Sequence, residues 1–242
     1  MALKSLYVEP ELEAHTLDWP ALECRDVFKI FRSGPVETVA LRGLDLRVDP
    51  GELVAVLGPS GCGKSTFLSL AAGLDTPSAG EVRALGRSLG QLGEDELARY
   101  RANQLAIVFQ NDNLWPALSA QENVVTALRL AGHEDPRDAS IAALEAFGLG
   151  RRATHRARAL SGGEQQRVAI AGAAARQAAL VLADEPTGEL DEGNERLVLD
   201  ALAELRERYG STVIMVTHSE RVAEAADRVV ELRDGRVNAR AW

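Results

Sequence analysis

The chain has 242 residues, 46% of them hydrophobic, and a formal charge of −9 from 36 acidic against 27 basic side chains. That length supports one sizeable core with room for a small inserted subdomain, and an acidic balance without a dense basic cluster argues against direct nucleic-acid binding. The longest apolar stretch, Val168 to Ala175, falls far short of the roughly 20 residues of a membrane-spanning helix, and Cys24 and Cys62 lack metal-ligand spacing, which fits a reduced, cytosolic compartment.

Residues 1–20 read as an N-terminal extension in which Glu9, Glu11, Glu13 and Asp18 interrupt any signal-peptide pattern. Residues 21–242 read as a single domain. Leu22 to Phe31 and Thr38 to Val48 alternate apolar and polar residues across Ser33-Gly34-Pro35, which predicts two antiparallel strands forming a β-rich edge. Phe31 has two readings, a ring that stacks on a purine or an ordinary core aromatic.

Leu53 to Leu57 reads as a buried strand and Phe67 to Ala72 as a helix closed by Gly73. Between them, Gly58-Pro59-Ser60-Gly61-Cys62-Gly63-Lys64-Ser65-Thr66 fits G-x-x-x-x-G-K-[ST], the phosphate-binding loop. Glycines let backbone N–H groups converge on a polyphosphate where a Cβ would intrude, and the helix N-terminus adds partial positive charge. Lys64 is placed to reach the β- and γ-phosphates, and the Ser65 hydroxyl to ligate the Mg²⁺ that bridges them.

Further along, a short strand lies between Gly80 and Gly86, a helix over Asp95 to Arg101, and a buried strand over Leu105 to Phe109 that ends at Gln110. Gln110 either offers a carbonyl oxygen to Mg²⁺ or is an ordinary strand-end residue. From Asn111 to Ala159 the pattern is helical and predicts an inserted subdomain. Ser119-Ala120-Gln121-Glu122 is a capping box ahead of Val124, Val125, Leu128 and Ala131; Asp135-Pro136 opens a helix with Ile141, Leu144 and Phe147 on its core face. Arg151, Arg152, Arg156 and Arg158 then read as a solvated loop.

In Leu160-Ser161-Gly162-Gly163-Glu164, Ser161 and Glu164 form a second capping box, and two glycines leave the first turn uncovered. The segment is either an anion-accepting helix start or simply a well-capped helix. Leu180 to Ala183 is a buried strand ending in Asp184-Glu185. Two carboxylates there call for a cation, Asp184 holding Mg²⁺ through its water shell and Glu185 acting as general base, or else form a salt-bridged structural pair. Asp191 caps a helix carrying Val198, Leu202 and Leu205. The strand Thr212 to Thr217 ends at His218, a structural histidine or a donor to a γ-phosphate oxygen that also orients the attacking water or Glu185. A hairpin over Val229 to Val237 turns through Asp234-Gly235.

Taken in order, the phosphate loop, Gln110, Leu160-Ser161-Gly162-Gly163-Glu164, Asp184-Glu185 and His218 resemble the ATP-binding cassette (ABC) family, from about Cys24 to Val237. The resemblance implies an α/β fold, a P-loop NTPase (RecA-like) core with an antiparallel β edge and an inserted α-helical subdomain. It also implies ATP and Mg²⁺ as ligands, Phe31 at the adenine, Gln110 as the lid residue, Asp191 in a dimer-communicating loop and His218 as the switch. Ser161, Gly162 and Gly163 would contact the γ-phosphate held by a second copy. The segments Leu114-Trp115-Pro116 and Ala183 to Gly188 are similar to the lipoprotein-release, macrolide-export and cell-division branch. Its cassettes sit on the cytoplasmic face of the cell membrane and drive a separately encoded permease. The competing reading is a soluble ABC ATPase acting on DNA or the ribosome, which typically has a tandem cassette or a long coiled-coil insertion. Three positions depart from the family pattern: Gly172 where arginine is usual, Ala178 where proline is usual, and Glu189 where asparagine is common.

Overall fold

The computed structural model describes residues 19–34 and 36–238. The expected N-terminal extension therefore lies, except for Trp19 and Pro20, outside the described residues. The chain opens with β1 (Leu22–Ser33) and β2 (Val36–Val48), then β3 (Leu53–Leu57), α1 (Lys64–Ala71), β4 (Ala79–Ala84), β5 (Arg87–Ser88), α2 (Glu94–Asn103) and β6 (Leu105–Val108). Three helices follow, α3 (Ala120–Leu130), α4 (Arg137–Ala146) and α5 (Gly162–Ala175). The remainder is β7 (Leu180–Asp184), α6 (Glu192–Tyr209), β8 (Thr212–Thr217), α7 (Glu220–Ala223), β9 (Arg228–Arg233) and β10 (Arg236–Asn238).

The strands form two sheets, an antiparallel one in the order β2-β1-β4-β5 and a six-stranded one in the order β10-β9-β3-β8-β7-β6. In the larger sheet β9, β3, β8, β7 and β6 run parallel, and only β10 runs against its neighbour. Parallel strands covered on both faces read as continuous apolar runs, and β8 is buried along its whole length. Successive side chains of β3 point to opposite faces. Leu53 and Ala55 join the core shared with α3, α4, α5 and α6, while Val54 and Val56 join the core shared with α1, α2, β1 and β2. Every parallel strand thus delivers its C-terminal end to the same edge of the sheet, where open α/β sheets bind ligands.

The antiparallel edge, the capped helices and the final hairpin match expectation. Asp234 and Gly235 both have positive φ, 50° and 75°, as a type I′ hairpin turn requires. Other expectations need correction. Strand β6 ends at Val108, and Phe109 lies beyond it, 46% exposed. Ile141 is 39% exposed; the inward stripe of α4 is Ser140, Ala143 and Leu144, followed by Phe147, which stacks on Tyr209. On α3 the polar Asn123 is buried beside Val124 and Leu128, because its side chain satisfies the backbone of Trp115 and Ser119. Val125 and Ala131 are only half-buried.

Candidate functional site

The loop from Gly58 to Thr66 is held from two sides before any ligand is considered. A Cβ on Gly63 would stand 2.7 Å from the Ala40 carbonyl of β2, and one on Gly58 would stand 2.3 Å from the Leu232 carbonyl of β9. These glycines are therefore demanded by close backbone approach. The hairpin turn closes the grip: Gly235 N donates to Cys62 O at 3.0 Å, and Arg42 N donates to Gly235 O at 2.8 Å. Gly61 and Gly63 adopt φ of 77° and 109°, and Phe67 N donates to Gly63 O at 2.9 Å as α1 begins. The Cys62 and Cys24 thiols are both buried and free; burial pushes Cys24 up to about 12 and also raises Cys62 against the pull of Lys64, so neither is poised as a thiolate.

Lys64 is 8% exposed, and its ammonium folds back over the loop, donating to Gly58 O at 2.7 Å and Pro59 O at 3.2 Å. It lies 3.6 Å from Glu185 Oε1. Glu185 follows β7 with a φ of 45°, unusual for a residue with a Cβ, and its carboxylate also takes both donors of the next strand end. His218 N donates to Oε2 at 3.3 Å, and His218 Nδ1 lies 2.9 Å from Oε1. An ionised carboxylate only accepts, so Nδ1 carries the proton in this contact. Thus β3, β7 and β8 bring together Lys64, Glu185 and His218.

Asp184 lies beside the Ser65 side chain. Burial pushes its carboxyl up and the Glu185 charge adds to this, against the opposing pull of Ser65 and Lys64. Ser65 and Asp184 form a pair of hard oxygen donors next to a second carboxylate, Glu185, a donor set that fits Mg²⁺ held jointly by one carboxylate, a hydroxyl and substrate phosphates. Among the described residues no group of three or more His, Cys, Asp or Glu side chains is gathered as a metal cage, and Mg²⁺ shared with phosphates needs none.

Gln110 leaves β6 and lays its amide over the turn that follows Glu185: a Cβ on Gly188 would stand 2.7 Å from Gln110 Nε2. Phe31 is 45% exposed, so the core reading of its ring does not hold. It pairs with Thr38 on β2, two residues from the Ala40 that touches the phosphate loop. Lys29 Nζ lies 5.1 Å from the ring centroid.

At the start of α5, Ser161 Oγ accepts from Glu164 N at 3.2 Å and Glu164 Oε2 accepts from Ser161 N at 2.9 Å, the expected capping box. The neighbouring basic loop is not wholly solvated, because Arg152 Nε donates to Glu164 Oε1 at 2.8 Å. Nor is the first turn uncovered as expected. Ser161 and Gly162 are exposed, but Gly163 is buried, and a Cβ there would stand 2.7 Å from Asn194 Oδ1. Asn194 is the residue that Asp191 caps: Asp191 Oδ1 accepts from Asn194 N at 3.0 Å and Oδ2 from Asn194 Nδ2 at 2.6 Å. The two helix starts are therefore locked together. Glu189, in the turn before α6, sits at φ 68°, where asparagine would be more relaxed.

Two polar residues that the motifs do not single out belong to this region. Gln166 and Asn113 bind each other and the backbone at Phe109 and Gln110. For Gln166 the signal in the sequence is a polar position on the inward stripe of α5, three residues after Gly163 and four before Ile170.

Comparison with known proteins accords with this geometry. The family model described as ABC transporter matches residues 41–188. The lipoprotein-releasing system ATP-binding protein LolD of Anaeromyxobacter dehalogenans is 46% identical over 223 residues, covering 91% of this chain and 93% of that one. The macrolide export ATP-binding/permease protein MacB of Marinobacter nauticus is 43% identical over 218 residues, 89% of this chain but 34% of its own length, so the chain spans about a third of that relative. Among solved structures, a dimeric ATP-binding cassette in a post-hydrolysis state bound to ADP and Pi superposes with a TM-score of 0.82 at 37% identity, covering 91% of this chain and 100% of that one. With its phosphate loop, strand-end residues and the capped start of α5 arranged on that shared fold, the chain belongs to the ABC transporter family.

Proposed function

We propose that two copies of this cassette sandwich two ATP molecules, and that their closure and separation drive a permease on another polypeptide, in transport or mechanotransmission, from the cytoplasmic face of the cell membrane. The observation that carries this reading is the separation of the two phosphate-seeking segments. Helix α1, behind the phosphate loop, packs on β2, β4, β7 and β8, whereas α5, behind Ser161 to Gly163, packs on α3, α4, α6 and β6. Ser161 and Gly162 face solvent on their own mount, as a surface that completes another copy's site would. The relatives named for lipoprotein release and macrolide export supply the partner class. No helix among the described residues is long and apolar enough to cross a membrane, which fits docking onto a separate spanning partner.

In this reading the amides of Gly58 to Thr66 and the Lys64 ammonium hold the β- and γ-phosphates, exchanging the Gly58 and Pro59 carbonyls for phosphate oxygens. Phe31 stacks on the adenine, and Asp191 and Gln110 sense the state of the site. Ser65, Asp184 and Gln110 would hold Mg²⁺, which neutralises charge on the transferred phosphoryl group. Glu185, oriented by His218, takes the proton of the attacking water. The test is Glu185→Gln. It keeps ATP affinity within about twofold, loses at least about 100-fold in kcat, and migrates as a dimer in ATP by size-exclusion chromatography. Near wild-type turnover would sink the general-base assignment, and a monomer at saturating ATP would sink the sandwich.

A further inference from the structure

Gln166 is 3% exposed, inside α5 between the exposed Ser161–Gly162 end and the core residues Val168 and Ile170. A buried amide must be satisfied or it costs free energy, and this one is satisfied by a single stretch of chain. Its Nε2 donates to Phe109 O at 2.9 Å and to Gln110 O at 2.7 Å, and its Oε1 accepts from Asn113 Nδ2 at 2.9 Å. Asn113 closes the ring, donating to Phe109 O at 2.7 Å while its Oδ1 accepts from Phe109 N at 2.7 Å. The stretch has left the sheet after Val108 and carries a positive φ of 60° at Asp112, so these side chains take over from ladder hydrogen bonds. Glutamine suits the position by its chemistry. Two donors on one planar group meet two successive carbonyls, and an acceptor remains for Asn113. Glutamate has the shape without the donors, and methionine the length without either.

We propose that Gln166 is a positioning residue that makes α5 and the Gln110 segment move as one piece, so that it links the two ATP sites of a pair. This rests on the dimer reading above, in which Ser161 to Gly163 contact the partner's nucleotide while Gln110 attends the chain's own. A change at Gln110 on loading or hydrolysis is then carried through the Gln166 amide into α5 and across to the other site. Asn113 secures the same stretch from its far end, so the two amides act as a unit.

The test uses the full chain with Gln166→Met, Asn113→Leu and the double variant. Thermal midpoint, ATP affinity of the dilute monomer, and ATPase rate against ATP concentration are measured for each. Gln166→Met is expected to fold and to bind ATP within about twofold of wild type. Its kcat falls by about 10- to 100-fold, the size of a small misplacement of a catalytic group, and its Hill coefficient drops from a wild-type value approaching about two, the number of sites, to about one. The double variant should be no worse than the poorer single one, because both break one unit. A folded Gln166→Met with wild-type kcat and Hill coefficient overturns the proposal. So does a kcat loss that merely tracks lost folded fraction or ATP affinity while cooperativity stays, and so do strictly additive losses in the double variant. Failure of the underlying dimer reading is visible separately, as a wild type that stays monomeric and uncooperative in ATP, and it would take the coupling with it.

Discussion

Glu185 holds together only because its neighbours over-determine it. Its backbone sits at φ 45°, a conformation of order 1 kcal/mol or more unfavourable for a side chain with a Cβ. Two donors from His218 and the Lys64 charge 3.6 Å away fix its carboxylate. The His218 ring is 64% exposed, so it is held by this contact rather than by packing. In His218→Ala the backbone donor survives but the ring donor is lost, and the carboxylate is free to turn toward Lys64. The expected result is ATP affinity within about twofold of wild type and a kcat loss of about 100-fold, the size of losing one positioned proton-transfer contact; a loss under about threefold would leave His218 a structural residue. The strand ends at Glu185 and His218 were legible in the sequence as polar residues closing apolar runs. The Lys64 contacts to Gly58 and Pro59 were not, since they form only when the loop is braced by β2 and by the hairpin near the far end of the chain.

Helix α5 contains two glycines that the same substitution should affect in opposite directions. Gly172 lies mid-helix, and a Cβ there would meet nothing within 4 Å, so Gly172→Ala removes chain entropy at no steric cost. Stability should rise by about 0.5–1 kcal/mol, with ATPase unchanged. Gly163→Ala drives a methyl to within 2.7 Å of Asn194 Oδ1 at the start of α6, and should destabilise by roughly 1–3 kcal/mol and lower kcat. Urea unfolding of both variants checks the pair; a Gly163→Ala chain as stable as wild type would show that the two helix starts are not locked. The cap of α5 adds a pH signature. Burial pushes the Glu164 carboxyl up, but bonds from Ser161 and Arg152 outweigh this and hold it below its usual 4.5. A depressed acid contributes stability above its unfolded value and loses it as pH falls through the folded one. The advantage of wild type over Glu164→Gln, about 0.5–1 kcal/mol, should be present at neutral pH and vanish once pH drops well below 4.5. Capping boxes such as this one are local and were readable from spacing alone. Periodicity misread α4, where Ile141 faces solvent and Ser140 faces inward, because Ser140 Oγ bonds Arg137 O at 2.6 Å and can be buried at little cost.

Across the whole molecule, the charge of −9 that argues against nucleic acid also acts on the chain's own assembly. In the proposed pair the two cassettes would repel as they approach, each bringing bound ATP with further negative charge, and Glu189 adds a carboxylate two residues before Asp191, the cap of α6. Lys64, the P-loop amides and the start of α5 offset this only at short range, once the nucleotides are enclosed. Long-range repulsion is screened by salt, and the Debye length falls from about 30 Å at 10 mM to about 10 Å at 100 mM ionic strength. At saturating ATP, the protein concentration at which Glu185→Gln is half dimeric should therefore fall by about threefold or more over that range. Glu189→Asn should lower it further and flatten its salt dependence. Sedimentation velocity at fixed ATP and graded salt measures both. If dimerisation instead weakens as salt rises, complementary patches rather than net repulsion govern the encounter, and the repulsive part assigned to Glu189 would have to be abandoned.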